Sequence, residues 1–277
     1  MEEIIKEESE LLTYLLNKFN KLSKNSVKHL LTNKQIVING KVVTQYNYLL
    51  KVGDKISFNG KKETYGLKIV YEDDLFLVID KPHNLLTVAT DKEKDKTAYV
   101  LASKYIKQEN NKNRIHVLHR LDKDTSGILV FCKDENVKND LQNKWNECVI
   151  KRGYVAVVEG NLSRKQGTIK SYLKEDKTKM VYSTKSKDGK LAITEYKVIK
   201  ENNLYSLIDV NLLTGRKNQI RVHFSGLGNP LVGDKKYGSK LDPIGRLCLH
   251  ACELIIKYNE KEYKFSCNTS SKLENLI

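Results

Sequence analysis

No hydrophobic run in the 277 residues reaches the ~18–20 that a membrane-spanning helix needs. Basic residues ahead of the first apolar ones are also lacking: the first stretch, MEEIIKEESELL, sets acidic residues there and does not read as a secretory leader. The expected location is therefore the cytoplasm, with no membrane partner. Cysteine is scarce and odd in number, at Cys132, Cys148, Cys248, Cys252 and Cys267. Without a leader this reads as free thiols rather than a disulfide framework. If LCLHACELII is a strand, alternation puts Cys248, His250 and Cys252 on one face. Donors at i, i+2 and i+4 of a single strand make a poor tetrahedron, and no fourth ligand lies near in sequence, so no metal centre is expected. Internal repeats and low-complexity tracts are lacking too. One large domain, or a large one plus a small one, accounts for the length.

What is abundant is positive charge. The formal net charge is +15, and an excess of that size favours a polyanionic partner, since neutralising phosphates releases counterions. A basic but inert surface has the same composition. The charge is unevenly placed: residues 18–68 hold eleven Lys against two acids, Asp54 and Glu63. A basic amphipathic segment could also lie on an anionic membrane, but the local pattern reads as a folded module. Leu11, Leu12, Leu15, Leu16 and Phe19 recur at helical spacing. Ser23 and Ser26 are N-cap candidates for a second short helix with Val27, Leu30 and Leu31 on one face. QIVINGKVV then reads as two strands joined at Asn39-Gly40, a strong hairpin signal, and KISF follows the turn VGD as a third strand.

This helix, helix, hairpin, strand order resembles an S4-type RNA-binding domain, which in that family presents a basic face to structured RNA. The resemblance makes Ser23, Lys24, Asn25, Lys28, Lys34 and Lys41 candidate RNA contacts; any one of these lysines alone is as readily a solvated charge. The expected division is a small α+β head at 1–58, a linker at 59–68, whose NGKKETYGLK shows no periodicity, and a larger domain at 69–277. In the latter, TAYVLASKYI and VKNDLQNKWNE read as helices. GYVAVVEG, TEYKVIKE, LYSLIDVNLL, IRVHF, LCLHACELII and YKFSC read as strands. Many strands with few helices imply a mixed α/β domain.

The densest polar cluster is HVLHRLDKDTSGILVF, residues 116–131, where His, Arg, Asp, Lys, Thr and Ser run into the apolar strand ILVF. Gly127 allows a tight backbone path there, and a polar loop on a rigid strand is a common active-site arrangement. Read as residue types alone, it is as readily a surface turn in which Asp122 or Asp124 caps backbone N–H groups. The spelling HRLDKDTSG, however, closely resembles the catalytic motif of the RluA-like RNA pseudouridine synthases, with Asp122 at the position of the essential aspartate. VIDKPHNLLTV (78–88) resembles the family's first motif, with Asn84 where Gly is usual, implying a differently shaped loop. RGYVAVVEG (152–160) resembles the segment of the active-site tyrosine, here Tyr154. LLTGRKNQIRVHFSGLGNPLVGDKKYG (212–238) resembles the last motif, with Arg221 as the basic partner of the aspartate. The resemblance covers about 69–257 and implies an α+β fold, with a mixed, mainly antiparallel sheet and flanking helices.

The implied chemistry is isomerisation of uridine to pseudouridine in structured RNA. It breaks the C1′–N1 bond and remakes it as C1′–C5, with attack at C1′ or at C6 both open. A carboxylate can attack covalently, a guanidinium beside it holds it ionised and aimed, and an aromatic ring can stack on the base. By residue type alone, Tyr154 is a core strand residue and Arg221 a surface ion pair. Flipping of the target is expected, with Arg120 as wedge or phosphate contact and His119 ordering the loop or touching RNA. Arg216, Lys217 and Asn218 are further RNA candidates. Ribosomal RNA is favoured over transfer RNA, and no cofactor, metal or obligate protein partner is expected. Two other readings stay open: a metal-dependent ribonuclease using Asp122, Asp124 and His119, and an RNA-binding or ribosome-assembly factor on an inactive synthase fold.

Overall fold

The computed structural model of the chain describes residues 2–20, 24–32, 35–58, 62–91, 93–269 and 271–277. In chain order the elements are β1 (Glu2–Ile4), β2 (Ser9–Glu10), α1 (Leu11–Lys18), α2 (Lys24–Thr32), β3 (Val37–Ile38), β4 (Lys41–Val42), β5 (Leu49–Leu50), β6 (Lys55–Ser57), β7 (Lys68–Glu72), β8 (Phe76–Lys81), α3 (Ala98–Lys107), β9 (His116–Val117) and β10 (Ser126–Cys132). They continue with α4 (Glu135–Asn143), α5 (Trp145–Cys148), β11 (Val149–Glu159), β12 (Gln166–Glu175), β13 (Val181–Thr184), β14 (Lys190–Glu201), β15 (Tyr205–Leu212), α6 (Gln219–Gly226), β16 (Leu249–Tyr258), β17 (Lys261–Ser266) and α7 (Ser271–Glu274). Two compact units result: residues 1–66 with 99–115, and residues 67–98 with 116–277. No helix of the described residues is long and apolar enough to cross a membrane.

The first unit follows the element order read from the sequence. Leu11 and Leu15, one turn apart on α1, are fully buried against Val27 and Leu31 of α2 and Ile38 and Ile56 of the sheet; each such side chain contributes ~1.5–3 kcal/mol. Asn39 and Gly40, at φ +48° and +79°, close the two-residue turn between β3 and β4, the left-handed pair that matches strand twist. Asn39 also pins the next segment: its Nδ2 donates to Asp54 Oδ1 (2.8 Å) and its Oδ1 accepts from the Lys55 amide (2.9 Å). The sheet gains an unforeseen strand, β1, on the outer edge of β6. Ser26 lies inside α2 rather than at its start, so it is not the N-cap; Ser23 and Lys34 lie outside the described residues. Lys24, Asn25, Lys28 and Lys41 are all exposed. Part of the expected linker is tied down, because the Glu63 amide donates to Gln108 Oε1 (2.8 Å) and Gln108 Nε2 donates back to Glu63 O (2.7 Å).

The second unit is built on one sheet in the order β13-β12-β14-β15-β11-β16-β10-β8-β7, with β9 on β10 and β17 on β16. All pairs are antiparallel except β10 with β16, so the expected mixed, mainly antiparallel α+β architecture is found. β10 is buried along its whole length, which explains the unbroken apolar run from Ile128 to Cys132. One face carries Phe76, Val78, Ile128, Val130, Leu254, Ile256 and Phe265. Ala156, Val158, Ile208, Val210 and Leu249 pack with Phe224 of α6 on the other.

Candidate active site

The loop from His119 to Thr125 joins β9 to β10 and is fastened on both sides of Asp122. Thr87 Oγ1 donates to Leu121 O (2.8 Å) and accepts from the Leu121 amide (3.1 Å). Lys81, fully buried, donates to Lys123 O (3.1 Å), Leu85 O (2.7 Å) and Pro82 O (3.0 Å). Burial pushes this ammonium down to about 8. The 78–88 segment thus serves as scaffold for the 119–125 loop. Asn84 adopts φ +60°, the left-handed region that favours Gly and that Asn tolerates better than most. The departure from the family spelling therefore needs no change of loop shape. Gly127 ends the loop at φ +114°, where a Cβ would stand 2.1 Å from the Ala251 carbonyl oxygen; only Gly fits the parallel crossing of β10 and β16.

Asp122, Tyr154 and Arg221, supplied by the loop, β11 and α6, line one open cavity of about 1090 Å³. The Asp122 carboxyl makes no hydrogen bond or ion pair among the described residues. Burial pushes it above the usual carboxylate range, and the Arg221 charge opposes that rise. Burial also pushes the Tyr154 phenol up to about 12, so the ring is neutral near pH 7, and its hydroxyl has no hydrogen-bond partner among the described residues.

The expected contact between Arg221 and Asp122 is not made. The Arg221 fork instead grips Asp234, Nε to Oδ2 at 2.7 Å and Nη2 to Oδ1 at 2.6 Å, while Nη1 donates to Asn218 Oδ1 (3.1 Å). No ion pair within 4.0 Å joins Arg221 to Asp122 among the described residues. The reason is burial: the Asp234 side chain is 0% exposed, and a carboxylate there without a counter-ion is more costly than a half-buried one. The guanidinium also lies over the Tyr237 ring, 4.9 Å from its centroid. Asn218, expected as an RNA contact, lines the same cavity. It is buried, and its amide is spent on Arg221 and on the Tyr237 hydroxyl (3.0 Å).

His119 orders the loop rather than offering itself to RNA. Its Nε2 accepts from the Val130 amide (3.2 Å), and burial pushes its imidazole down to about 4, so it stays neutral. Arg120 lines the cavity, exposed and without a hydrogen-bond or ion-pair partner among the described residues. Arg216 is exposed but tethered through Nε to Leu191 O (2.9 Å), and Lys217 pairs with Glu175 at 2.6 Å. Sequence reasoning missed two participants. Arg152 lines the cavity with no ion pair among the described residues, and burial pushes its guanidinium down; its place two residues before Tyr154 on the same strand was the available signal. Asp234, the one acid of the 212–238 segment, was given no role. Of the three ligands that the metal-dependent ribonuclease reading needs, His119 has its Nε2 committed to a backbone amide, which leaves Asp122 and Asp124.

Comparison with known proteins gives the family. The family model for RNA pseudouridylate synthase matches residues 75–226, and that for the S4 domain matches residues 11–56. An uncharacterised RNA pseudouridine synthase of Mycoplasma genitalium is 36% identical over 87% of this chain and 81% of its own length. A ribosomal large subunit pseudouridine synthase C of Rickettsia bellii is 31% identical over 96% of this chain and 94% of its own. Among solved structures, human RNA pseudouridylate synthase domain containing 1 superposes with a TM-score of 0.61 at 25% identity, over 75% of this chain and 85% of that one. The inactive-scaffold reading gives way with the ribonuclease one: this chain belongs to the RNA pseudouridylate synthase family, is an isomerase of RNA uridine, and carries an S4 domain at its N-terminus.

Proposed function

We propose that the enzyme converts uridine to pseudouridine in ribosomal RNA, with Asp122 as nucleophile acting on a base flipped into the cavity. One observation carries this reading: a carboxyl with no partner of its own stands in a cavity that also receives Tyr154 and Arg221 from distant segments. Asp122 must be ionised to attack. Burial opposes ionisation and Arg221 is the largest influence favouring it, so the guanidinium shifts the balance toward the charged nucleophile. Three of its N–H bonds are spent on Asp234 and Asn218; the other two are free to meet the carboxylate or an RNA oxygen as RNA closes the site. Tyr154, neutral, acts by stacking on the uracil rather than as a base.

The cavity exceeds the ~300–1,000 Å³ usual for small-molecule sites, which suits a flipped nucleotide with its neighbours. Arg120 and Arg152 are cations with no committed acid, fit to receive phosphates. The head at 1–58, with Lys24, Asn25, Lys28 and Lys41 exposed, would hold structured RNA while residues 69–277 do the chemistry. Relatives named for the ribosomal large subunit favour ribosomal RNA as substrate.

The test is to map pseudouridines in total RNA from a deletion strain and its parent. The account expects one or a few ribosomal positions to be lost, restored by the wild-type gene and not by Asp122→Asn. Loss confined to transfer RNA would refute the ribosomal assignment, and full restoration by Asp122→Asn would refute the nucleophile.

A further inference from the structure

On the face of the sheet that carries Phe76 and Val78, four apolar rows end in polar groups at one place. Alternation carries Phe76 and Val78 on to Asp80, Val130 and Ile128 to Ser126, Ile256 and Leu254 to His250, and Tyr263 and Phe265 to Cys267. None of Asp80, His250 and Cys267 lines the active-site cavity. Cys267 Sγ lies 3.2 Å from His250 Nε2, and donor atoms of Asp80, His250 and Cys267 all fall within 4.8 Å of one another. The other imidazole nitrogen, Nδ1, meets Ser126 Oγ at 2.8 Å, and Arg246 Nη2 donates to that oxygen at 2.7 Å.

We propose that Asp80, His250 and Cys267 bind a divalent cation of the zinc class, stapling β8, β16 and the end of β17 beneath the catalytic loop. One thiolate, one imidazole and one carboxylate form a donor set typical of zinc, whose bonds of ~2.0–2.3 Å place tetrahedral donors about 3.5 Å apart. The Cys–His pair already stands at that spacing, and the carboxylate closes by a side-chain rotation. Ser126 fixes the orientation of the imidazole as outer-shell partners of metal-bound histidines do. The present partner of Asp80 is Lys68 (3.0 Å), whose side chain is 70% exposed and so readily returns to water. On binding, the Cys267 thiol releases its proton to solvent, the metal–sulfur bond forms, and all but one of the metal-bound waters leave, the last filling the fourth position; no oxidant or reductant is involved. The donors sequence reasoning set aside, Cys248 and Cys252, are not needed, because the fold brings Asp80 and Cys267 to His250 from other strands.

The experiment titrates Co²⁺ into the full chain, stripped with chelator under reducing conditions. The proposal expects about one equivalent to give a thiolate-to-cobalt charge-transfer band that Zn²⁺ abolishes by displacement, with Zn²⁺ raising the thermal midpoint. Cys267→Ser should lose the band, Cys252→Ser should keep it, and Asp80→Asn should weaken Zn²⁺ binding by more than about tenfold. Circular dichroism checks the folding of each variant, and the exposed partner of Asp80 keeps that variant informative if Cys267→Ser fails to fold. No band in the wild type, a band surviving in Cys267→Ser, unchanged Zn²⁺ affinity in Asp80→Asn, or dependence on Cys252 would each overturn the assignment.

Discussion

Replacing Arg221 by Met separates the two jobs that the geometry gives this guanidinium. The first is structural: Met leaves the Asp234 side chain, 0% exposed, without the fork that binds it at 2.6 and 2.7 Å. Breaking one side of a buried pair is destabilising by about 3–5 kcal/mol, which at roughly 2–4 °C per kcal/mol for a domain of this size lowers the thermal midpoint by roughly 6–20 °C. The second job is electrostatic. The Asp122 carboxyl is raised by burial, and Arg221 is the largest influence against that rise. Without it the carboxyl rises further, so at fixed pH less nucleophile is ionised and the acid limb of turnover moves to higher pH. The double variant Arg221→Met/Asp234→Asn removes the orphaned charge and should regain most of the stability. It should not regain turnover, which stays down by about a hundredfold or more, as for other preorganised electrostatic groups. Thermal melts and single-turnover pseudouridine formation across pH measure both. A single variant as stable as wild type, or an acid limb that stays put or moves down, would refute the reasoning.

Three further outcomes follow from particular residues. Changing Lys24, Lys28 and Lys41 together to Glu should weaken RNA binding and reduce the salt slope by about one for each lysine that meets a phosphate; an unchanged slope in a binding titration would remove the head from the phosphate contact. His119 is held down to about 4 by burial, below its unfolded value near 6.5. It therefore contributes stability that is full above pH 6.5 and lost as pH falls toward 4. His119→Gln, which cannot take up that proton, should show a shallower loss over the same window in chemical denaturation, and an identical slope would contradict the burial argument. Gly127→Ala should deplete soluble protein or lower the thermal midpoint strongly, because its Cβ would stand 2.1 Å from Ala251 O; a normal melt would mean the crossing of β10 and β16 relaxes more easily than the geometry implies.

The head was legible because its signals are local: leucines one turn apart, and Asn-Gly at a hairpin. β1 was not, since Glu2–Ile4 is a short edge strand whose pairing with β6 depends on a partner more than fifty residues away. That Asp122 stands in the cavity was expected from a contiguous motif. The partner of Arg221 was not, because motif order says which residues gather but not how a guanidinium chooses between two carboxylates. Burial decides that choice, and burial of Asp234 arises only when the loop after α6 folds back. Arg152 escaped for a similar reason: a lone basic residue in a strand looks solvated until β11 is seen forming the cavity wall. The Asp80, His250 and Cys267 cluster joins residues from three strands, and no spacing rule along one strand could find it.

The central claim is that Asp122 is the nucleophile. The most direct measurement is single-turnover pseudouridine formation by Asp122→Asn on the RNA whose site the deletion strain identifies, with RNA affinity measured on the same preparation. Asn removes the carboxylate charge while nearly keeping its shape, and the Asp122 carboxyl has no hydrogen bond among the described residues to lose. The account predicts affinity close to wild type and no pseudouridine above background. Turnover well above background in a folded, RNA-binding variant would contradict it.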